Sequence, residues 1–295
     1  MFRQTAVTDG VCAVSITLVT TFRARDAQRV RNLETILRWY EQMPHWELLV
    51  IEQDREPHLD SSTWSASTRH VFLPNSGPFN KGWGMNTGAR LAANDVLLFC
   101  DADLLLPLTA LQTGENLARR RVAAVNPYDR LIELDEDETE ALLRTDIAQI
   151  APNFDGPRAR NERGNREQLP FCGGAFFMRR SMHRQLGGFD ERYRGWGGED
   201  DALSTKLLRS TSSVASLESR SAIHLWHARD YEHTFGDPHY PANRARLKRL
   251  RRADKESLIF LCDVQRQIMG NPDKYTATVT GPQPADQAPG NADAP

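Results

Sequence analysis

Cysteine is scarce in this chain, and a long apolar run is missing. The 295 residues contain four cysteines and no Cys-x-x-Cys pair, so the sequence predicts neither a thiolate zinc site nor a disulfide framework, and we interpret the four as reduced structural thiols. No window approaches the ~18 uninterrupted apolar residues of a membrane-spanning helix. Residues 1–22 lack the basic and apolar segments of a secretory leader. We therefore expect a cytoplasmic protein, with peripheral membrane contact left open.

An excess of charge of one sign is also missing. Lys and Arg number 37 and Asp and Glu 39, a formal net charge of -2, so no overall field draws the chain to nucleic acid and we expect no nucleic-acid partner. Residues 243–252 are the exception, because six Lys or Arg residues lie between Arg244 and Arg252. Such a run is usually a solvated helix face. The alternative is contact with an anionic partner or a membrane surface.

Alternating strand-like and helix-like segments predict an α/β fold. Residues 14–22 form a β-branched run typical of a buried strand, and residues 26–43 carry apolar side chains at helical spacing. A second apolar run at 46–54 completes a strand–helix–strand unit, which indicates a parallel sheet with a right-handed crossover. Further strand-like runs lie at 95–106, 122–126, 171–178 and 213–226.

Asp101 and Asp103 follow one of these apolar runs. Because side chains alternate along a strand, the two carboxylates share one side, and ligands of open α/β sheets collect at the carboxyl ends of the strands. Two acids there suit a divalent cation that bridges nucleotide phosphates. The alternative is a turn whose Asp residues cap a helix, and the Asp-Ala-Asp tripeptide alone does not decide between the two.

His224 and His227 lie three residues apart near the end of the last strand-like run. That spacing puts both imidazoles on one face only if the strand breaks into a turn there, which the polar residues 227–230 favour. Two separate core histidines are the alternative. Convergence of the histidines and the Asp pair on one metal would be more informative than either pair alone.

Three consecutive acids, Glu199, Asp200 and Asp201, follow a Gly-Trp-Gly-Gly turn. They would favourably meet the N-terminal dipole of a helix, which is the simplest interpretation. That interpretation leaves Trp196 unexplained. An indole beside carboxylates matches a sugar, whose C–H face packs on an aromatic ring while its hydroxyls donate to acids. One such acid, placed on a hydroxyl, can also act as a general base.

Three blocks of this sequence resemble the β-1,4-galactosyltransferase family and its bacterial relatives, including the transferase modules of chondroitin-type polymerases. In "TTFRAR" (20–25), Phe22, Arg23 and Arg25 match a Pro-Phe-Arg-Asn-Arg segment, with Thr21 in place of Pro. The block "FNKGWGMNTGARLAANDVLLFCDADLLLP" (79–107) is similar to a Phe-Asn-Arg segment, a helix and an Asp-Val-Asp strand end. The block 171–203 resembles the family's Gly-Gly strand and its Trp-Gly-Gly-Glu-Asp-Asp loop.

The resemblance implies a role for each matched position. Donor and nucleotide binding is implied for Phe22, Arg23, Arg25, Asp54, Phe79, Lys81, Asp101, Gly173, Gly174 and Trp196. Metal binding is implied for Asp103 and His227, joined by His224, which stands where the family commonly has Met. Asp200 is the implied general base, and Trp196, Glu199, Asp200 and Asp201 are implied to hold sugar or acceptor hydroxyls.

The fold and activity that the resemblance implies are those of a GT-A glycosyltransferase. That fold is a Rossmann-like, mostly parallel sheet flanked by helices and fused to an acceptor-binding half. The reaction would be metal-dependent and inverting, with a UDP-sugar donor, most readily UDP-galactose or UDP-N-acetylgalactosamine, and a carbohydrate or glycoconjugate acceptor. Mn²⁺ is the expected metal, with Mg²⁺ as an alternative because His224 replaces a thioether. Another UDP-sugar, or a non-catalytic nucleotide-sugar-binding module, is the alternative function.

The expected domain organisation follows from these blocks and from composition. Residues 1–13 form an N-terminal extension, and 14–270 form the transferase domain, with a nucleotide-binding half at 14–126 and an acceptor half at 127–270. Residues 271–295 have too little apolar surface to offset ordering entropy, so we expect a disordered tail. Acceptor contact through residues 243–252 is a further expectation if the acceptor is anionic.

Overall fold

The structure is a computed structural model of the chain, and it describes residues 16–120, 122–150, 154, 162–163, 171–228 and 235–276. The strands are β1 Ile16–Phe22, β2 Glu47–Asp54, β3 Thr68–Pro74, β4 Val96–Cys100, β5 Leu104–Leu105, β6 Ala124–Asn126, β7 Arg130–Glu133, β8 Glu162–Arg163, β9 Ala175–Arg179, β10 Val214–Ser216 and β11 Ser221–His224. The helices are α1 Ala27–Tyr40, α2 Lys81–Leu91, α3 Leu108–Arg119, α4 Glu136–Leu143, α5 Arg180–Gln185, α6 Glu199–Ser210, α7 Tyr240–Arg252 and α8 Lys255–Ile268.

A seven-stranded sheet of order β10-β6-β9-β4-β1-β2-β3 forms the centre of the molecule. Its strand pairs are parallel except those of β9, which runs antiparallel to both β4 and β6. All seven side chains of β1 are buried, as expected for a parallel strand covered on both faces. The predicted α/β fold, with a Rossmann-like and mostly parallel sheet flanked by helices, is confirmed.

Close packing of α2 on β1 brings one end of the helix to the sheet edge where the acids lie. Asn80 caps α2, with its side chain accepting from the Trp83 N–H at 2.9 Å. Gly84 faces β1 so closely that an added Cβ would overlap the Thr21 side chain. Only glycine permits this approach, and it fixes Lys81, the first residue of α2, beside the carboxyl ends of β1 and β4.

A second sheet of order β5-β11-β7-β8 brings distant parts of the chain together. β11 pairs antiparallel with β5, with His224 opposite Leu104, and the Leu225 N–H donates to the Asp103 carbonyl at 2.8 Å. The run 95–106 is therefore two strands, β4 and β5, because the chain turns at Asp101–Asp103. This turn and the pairing of β5 with β11 bring Asp103 close to His224 and His227.

The first six residues of the expected tail, 271–276, lie within the described part of the chain. Residues 271–276 form a turn against α2, where the Trp83 indole donates to the Asn271 carbonyl at 2.7 Å and its ring contacts Tyr275 edge-on at 4.7 Å. The expected boundary at 270 stays a prediction, with Tyr275 adding apolar contact just beyond it. Residues 277–295 and the extension 1–13 lie outside the described residues. Among the described helices, none is long and apolar enough to cross a membrane.

Candidate active site

A cleft of about 410 Å³ opens at the carboxyl ends of β1 and β4 and collects most of the predicted site residues. Its lining is Thr21, Phe22, Arg23, Arg25, Arg29, Phe79, Lys81, Asp101, Ala102, Asp103, Gly195, Trp196, Glu199, Asp200, His224 and His227. Four residues with implied roles, Asp54, Gly173, Gly174 and Asp201, are not part of this lining. The individual roles stay predictions, but the side chains assigned to metal, base and nucleotide binding share one cavity.

Asp103, His224 and His227 form a cluster whose three ligand atoms lie within 4.8 Å of one another. The Nε2 atoms of both imidazoles face the Asp103 carboxylate, that of His224 at 3.5 Å from Oδ1 and that of His227 at 3.2 Å from Oδ2. Although burial raises it, the pKa of Asp103 is held well below its usual range by His224 and His227. One carboxylate and two imidazoles fit a divalent metal and leave coordination positions for phosphate oxygens.

Lys81 contacts two acids from distant parts of the chain, Asp101 just after β4 and Asp200 at the start of α6. Its Nζ lies 2.8 Å from Asp101 Oδ1 and 3.0 Å from Asp200 Oδ2. Burial lowers the pKa of Lys81, but Asp101 and Asp200 together raise it well above its usual value. The lysine is therefore a permanent cation between two carboxylates, at the position where the family usually has Arg.

Asp200 lies in the first turn of α6. The N-cap residue of this helix, Gly198, has a φ of 95°. A Cβ at Gly198 would lie 3.0 Å from the Tyr193 ring, so only glycine suits this turn. Burial, followed by the charges of Glu199 and Asp101, raises the pKa of Asp200 to about 8 even though Lys81 lowers it. Asp200 Oδ1 is buried and has no hydrogen-bond partner among the described residues. This oxygen is available to an incoming hydroxyl.

Trp196 forms an aromatic platform at the mouth of the cleft. Its ring centroid lies 5.1 Å from Phe235 and 5.2 Å from Tyr240, and its own side chain is 38% exposed. The Trp196 N–H donates to Asp237 at 2.9 Å. Phe235 and Tyr240 were not predicted as site residues, although the abundance of aromatic residues in 228–243 was a signal that could have identified them.

Arg23 lines the cleft and is also bonded to the backbone of its wall. Its guanidinium donates to the carbonyls of Gln53 at 2.7 Å and of Gly77 and Asn75 at 2.9 Å. The same group lies 5.8 Å from the centroid of the Phe79 ring. Arg23 therefore fixes the loop that carries Phe79 and uses three of its five N–H donors on the backbone.

Asp201 does not line the cleft, and its expected contact with sugar hydroxyls stays a prediction. Its carboxylate pairs with Arg251 at 3.2 Å and with Arg244 at 4.0 Å, both on α7. Successive residues of an α-helix project about 100° apart, and here Asp200 lines the cleft whereas Asp201 faces α7. Two of the basic residues in 243–252 are thereby engaged within the molecule.

The remaining three residues support the cleft from outside it. Gly174 accepts the Asp101 N–H at 2.8 Å, and Gly173 accepts the Tyr128 hydroxyl at 2.9 Å, through their carbonyls. Asp54 accepts the Arg55 N–H at 2.8 Å at the end of β2. The expected contacts of these three residues with the nucleotide stay predictions.

Comparison with known protein families shows which family the chain belongs to. The model of glycosyl transferase family 2 matches residues 30–187, more than half of the chain. The chain belongs to glycosyl transferase family 2. A second model, the N-terminal domain of galactosyltransferase, matches residues 162–233, which contain the Gly-Trp-Gly-Gly-Glu-Asp-Asp loop and both histidines of the transferase. The family resemblance carried by the three blocks is confirmed.

The curated relatives of the transferase are larger proteins. Human chondroitin sulfate N-acetylgalactosaminyltransferase 1 is 26% identical over 205 residues, which cover 63% of this chain and 37% of the relative. The mouse protein of the same name is 28% identical over 172 residues, 57% of this chain and 31% of the relative. The transferase thus matches about a third of the length of these relatives.

Solved structures with a similar arrangement are also transferases. Drosophila β-1,4-galactosyltransferase 7 in complex with xylobiose gives a TM-score of 0.47 at 16% identity, covering 78% of this chain and 79% of that one. A mannosyltransferase from Pyrobaculum calidifontis in complex with GDP-Man and Mn²⁺ gives a TM-score of 0.49 at 15% identity, covering 86% and 70%.

Proposed function

We propose that the transferase moves a sugar from a UDP-sugar to a carbohydrate hydroxyl with inversion at the anomeric carbon. The observation that supports this most is the convergence of a candidate base, Asp200, a cation, Lys81, and the cluster of Asp103 with two histidines in one cleft. Such a cleft supplies both ends of a displacement: a base for the attacking oxygen and positive charge for the leaving diphosphate.

The donor that we propose is UDP-N-acetylgalactosamine, with UDP-galactose as the second candidate. The matched relatives are named for N-acetylgalactosaminyl transfer, and the galactosyltransferase model covers the acidic loop. Phe22 and Arg25 at the end of β1, together with Phe79 just before α2, line the cleft where the switch-point rule expects a nucleotide. The acceptor is a carbohydrate or glycoconjugate.

Asp103, His224 and His227 would hold a divalent metal, with Mn²⁺ expected first and Mg²⁺ as the alternative. A bound divalent metal would neutralise charge on the diphosphate as that group leaves. Lys81 adds a fixed positive charge beside Asp101 in the same cleft. The protein thereby offers both a metal and a lysine to the charge of the proposed diphosphate.

Asp200 removes the proton from the acceptor hydroxyl in this mechanism. The acceptor oxygen forms a bond to the anomeric carbon of the donor, the bond from that carbon to the diphosphate oxygen breaks, and the proton passes to Asp200. The unpartnered Oδ1 of Asp200 is the atom that receives it, and Lys81 fixes Oδ2 at 3.0 Å. Trp196 offers its face to the sugar, and Glu199, whose Oε2 lacks a hydrogen-bond partner in the described part of the chain, accepts from a sugar hydroxyl.

An anionic acceptor is a further part of the proposal. Arg244 and Arg251 pair with Asp201, while Lys248, Arg249 and Arg252 lie exposed on the same helix. These exposed cations are available to an anionic glycan, and binding to such a chain would weaken as salt is added. Peripheral membrane contact through residues 243–252 and a cytoplasmic location stay predictions.

Product analysis tests the proposed function directly. The full chain is incubated with Mn²⁺, a panel of UDP-sugars and short glycan acceptors, and the products are identified by mass. We expect one UDP-sugar to give an acceptor product heavier by one sugar residue, and calorimetry to show tighter binding of UDP than of GDP or ADP. Equal binding of GDP or ADP would remove the basis for a UDP-sugar donor, and donor hydrolysis without transfer to any acceptor would contradict the acceptor half of the proposal.

A further inference from the structure

Arg29 is a cation of the cleft to which the family resemblance gives no role. It is the third residue of α1, and its side chain lines the cavity beside Asp103 and His227. One guanidinium nitrogen, Nη2, donates to His227 Nδ1 at 2.9 Å. The Nε atom is buried without a hydrogen-bond partner among the described residues, since its ion pair with Asp26 is 3.9 Å long. Arg29 therefore has unused donor capacity inside the site.

The contact between Arg29 and His227 suits only one form of the imidazole. A guanidinium is always a donor, so the contact with Arg29 is a hydrogen bond only when Nδ1 carries no proton. A ring that holds a metal through Nε2 instead carries its proton on Nδ1, and that N–H needs an acceptor. The Ala228 carbonyl lies 3.0 Å from Nδ1 and provides one. The hydrogen bond from Arg29 to Nδ1 and a metal bound through Nε2 of His227 therefore exclude each other.

The position of Arg29 on α1 favours a move towards an anion. A cation in the first turn of a helix opposes the helix dipole, whereas an anion there is stabilised. Asp26 caps this end and accepts the Arg29 N–H at 2.8 Å, so the backbone of Arg29 is fixed while its side chain has room in the cleft. A diphosphate between this helix end and the metal ligands would meet both the Arg29 guanidinium and the positive end of α1.

We propose that Arg29 binds the diphosphate of the donor and that its contact with His227 is exchanged for that anion when the metal occupies the site. Arg29 is then a metal-coupled donor-binding residue. Without metal it occupies the Nδ1 side of His227, and with metal and donor it becomes a second cation on the leaving group, beside Lys81. This inference rests on the proposed use of a UDP-sugar.

Calorimetry on the full chain tests the exchange without measuring turnover. The variants are Arg29→Met and, as matched control, Arg31→Met on the same helix, where Arg31 is half exposed and pairs with Glu140 at 3.2 Å. Three titrations are made: Mn²⁺ alone, UDP at saturating Mn²⁺, and uridine at saturating Mn²⁺. We expect Arg29→Met to bind Mn²⁺ more tightly than the wild type, because a competing cation is gone. It should bind UDP about 10- to 150-fold more weakly, the range for hydrogen bonds to charged groups.

Opposite changes for metal and nucleotide distinguish this role from a structural one. Uridine, which has no phosphate, should bind Arg29→Met and the wild type equally, and Arg31→Met should match the wild type in all three titrations. Unchanged UDP affinity in Arg29→Met would overturn the inference, as would parallel losses for Mn²⁺, UDP and uridine. A wild-type chain that binds Mn²⁺ but no UDP would overturn the proposed function, and the phosphate contact with it.

Discussion

Replacing Asp200 by Asn removes a negative oxygen from the cleft and leaves the shape of the side chain almost unchanged. The Asn carbonyl can still accept from Lys81, which keeps its second partner Asp101 at 2.8 Å. The charge of Asp200 is unfavourable in this buried place, as its raised pKa of about 8 indicates. A group whose folded pKa is raised stabilises the protein at low pH and loses that contribution as pH rises through about 8. We therefore expect Asp200→Asn to be at least as stable as the wild type at pH 9.

The loss of transfer in this variant has a defined size. General-base catalysis contributes typically ~10²–10⁴-fold, or about 2.7–5.4 kcal/mol of activation free energy. Donor affinity should stay within a few fold, because Lys81 and the Asp103 cluster are intact. Turnover is measured with saturating donor and acceptor, donor affinity by calorimetry, and stability by thermal unfolding at pH 6 and pH 9.

Asp201→Asn is the matched comparison, since it makes the same chemical change one position further along α6. The structure turns Asp201 towards Arg244 and Arg251, and a surface ion pair contributes only about 0–1 kcal/mol, so transfer should remain within about fivefold of the wild type. Near-normal turnover of Asp200→Asn would refute the assignment of the base. A loss in Asp201→Asn as large as that in Asp200→Asn would refute the division of the two acids between cleft and α7.

Three further predictions concern pH, metal and the aromatic platform. Because Asp200 acts when deprotonated and its pKa is about 8, kcat/KM should fall about tenfold per pH unit below pH 8, and a rate independent of pH from 6 to 9 would contradict this. Chelation should abolish transfer, and Asp103→Ala should remove Mn²⁺ binding measured by calorimetry; Mg²⁺ should support measurable activity because His224 replaces a thioether. Trp196→Ala should weaken acceptor binding and raise the ratio of donor hydrolysis to transfer, measured as free sugar against product, and an unchanged ratio would argue against Trp196 as a cover that excludes water.

The central sheet was predictable from sequence where burial is uniform along a strand. Residues 14–22 and 46–54 are rich in apolar and β-branched side chains because β1 and β2 are buried along most of their length, and such runs carry a strong signal. β3 was not predicted, because most of its side chains are only partly buried. The direction of β9 also has no signature in composition, since antiparallel and parallel central strands bury similar side chains.

The sequence predicted which residues form the site but not which way their side chains point. Motif spacing identified Asp200 and Asp103, whereas the outward direction of Asp201 depends on where α6 begins, and that start is fixed by the positive φ of Gly198. Arg29 was missed because α1 reads as an ordinary amphipathic helix. Its proximity to His227 arises from tertiary packing, in which Asn32 donates to the Trp226 carbonyl at 2.9 Å.

The pairing of β5 with β11 has a consequence for how the metal site assembles. Asp103 and His224 are separated by roughly 120 residues, and closing a flexible loop of that length costs about 4 kcal/mol in its length-dependent part. The hydrogen bond from Leu225 to the Asp103 carbonyl, and the strand register around it, close this loop during folding. An ion entering the cleft therefore meets a chain in which this loop is already closed, so its coordination does not have to offset that entropy.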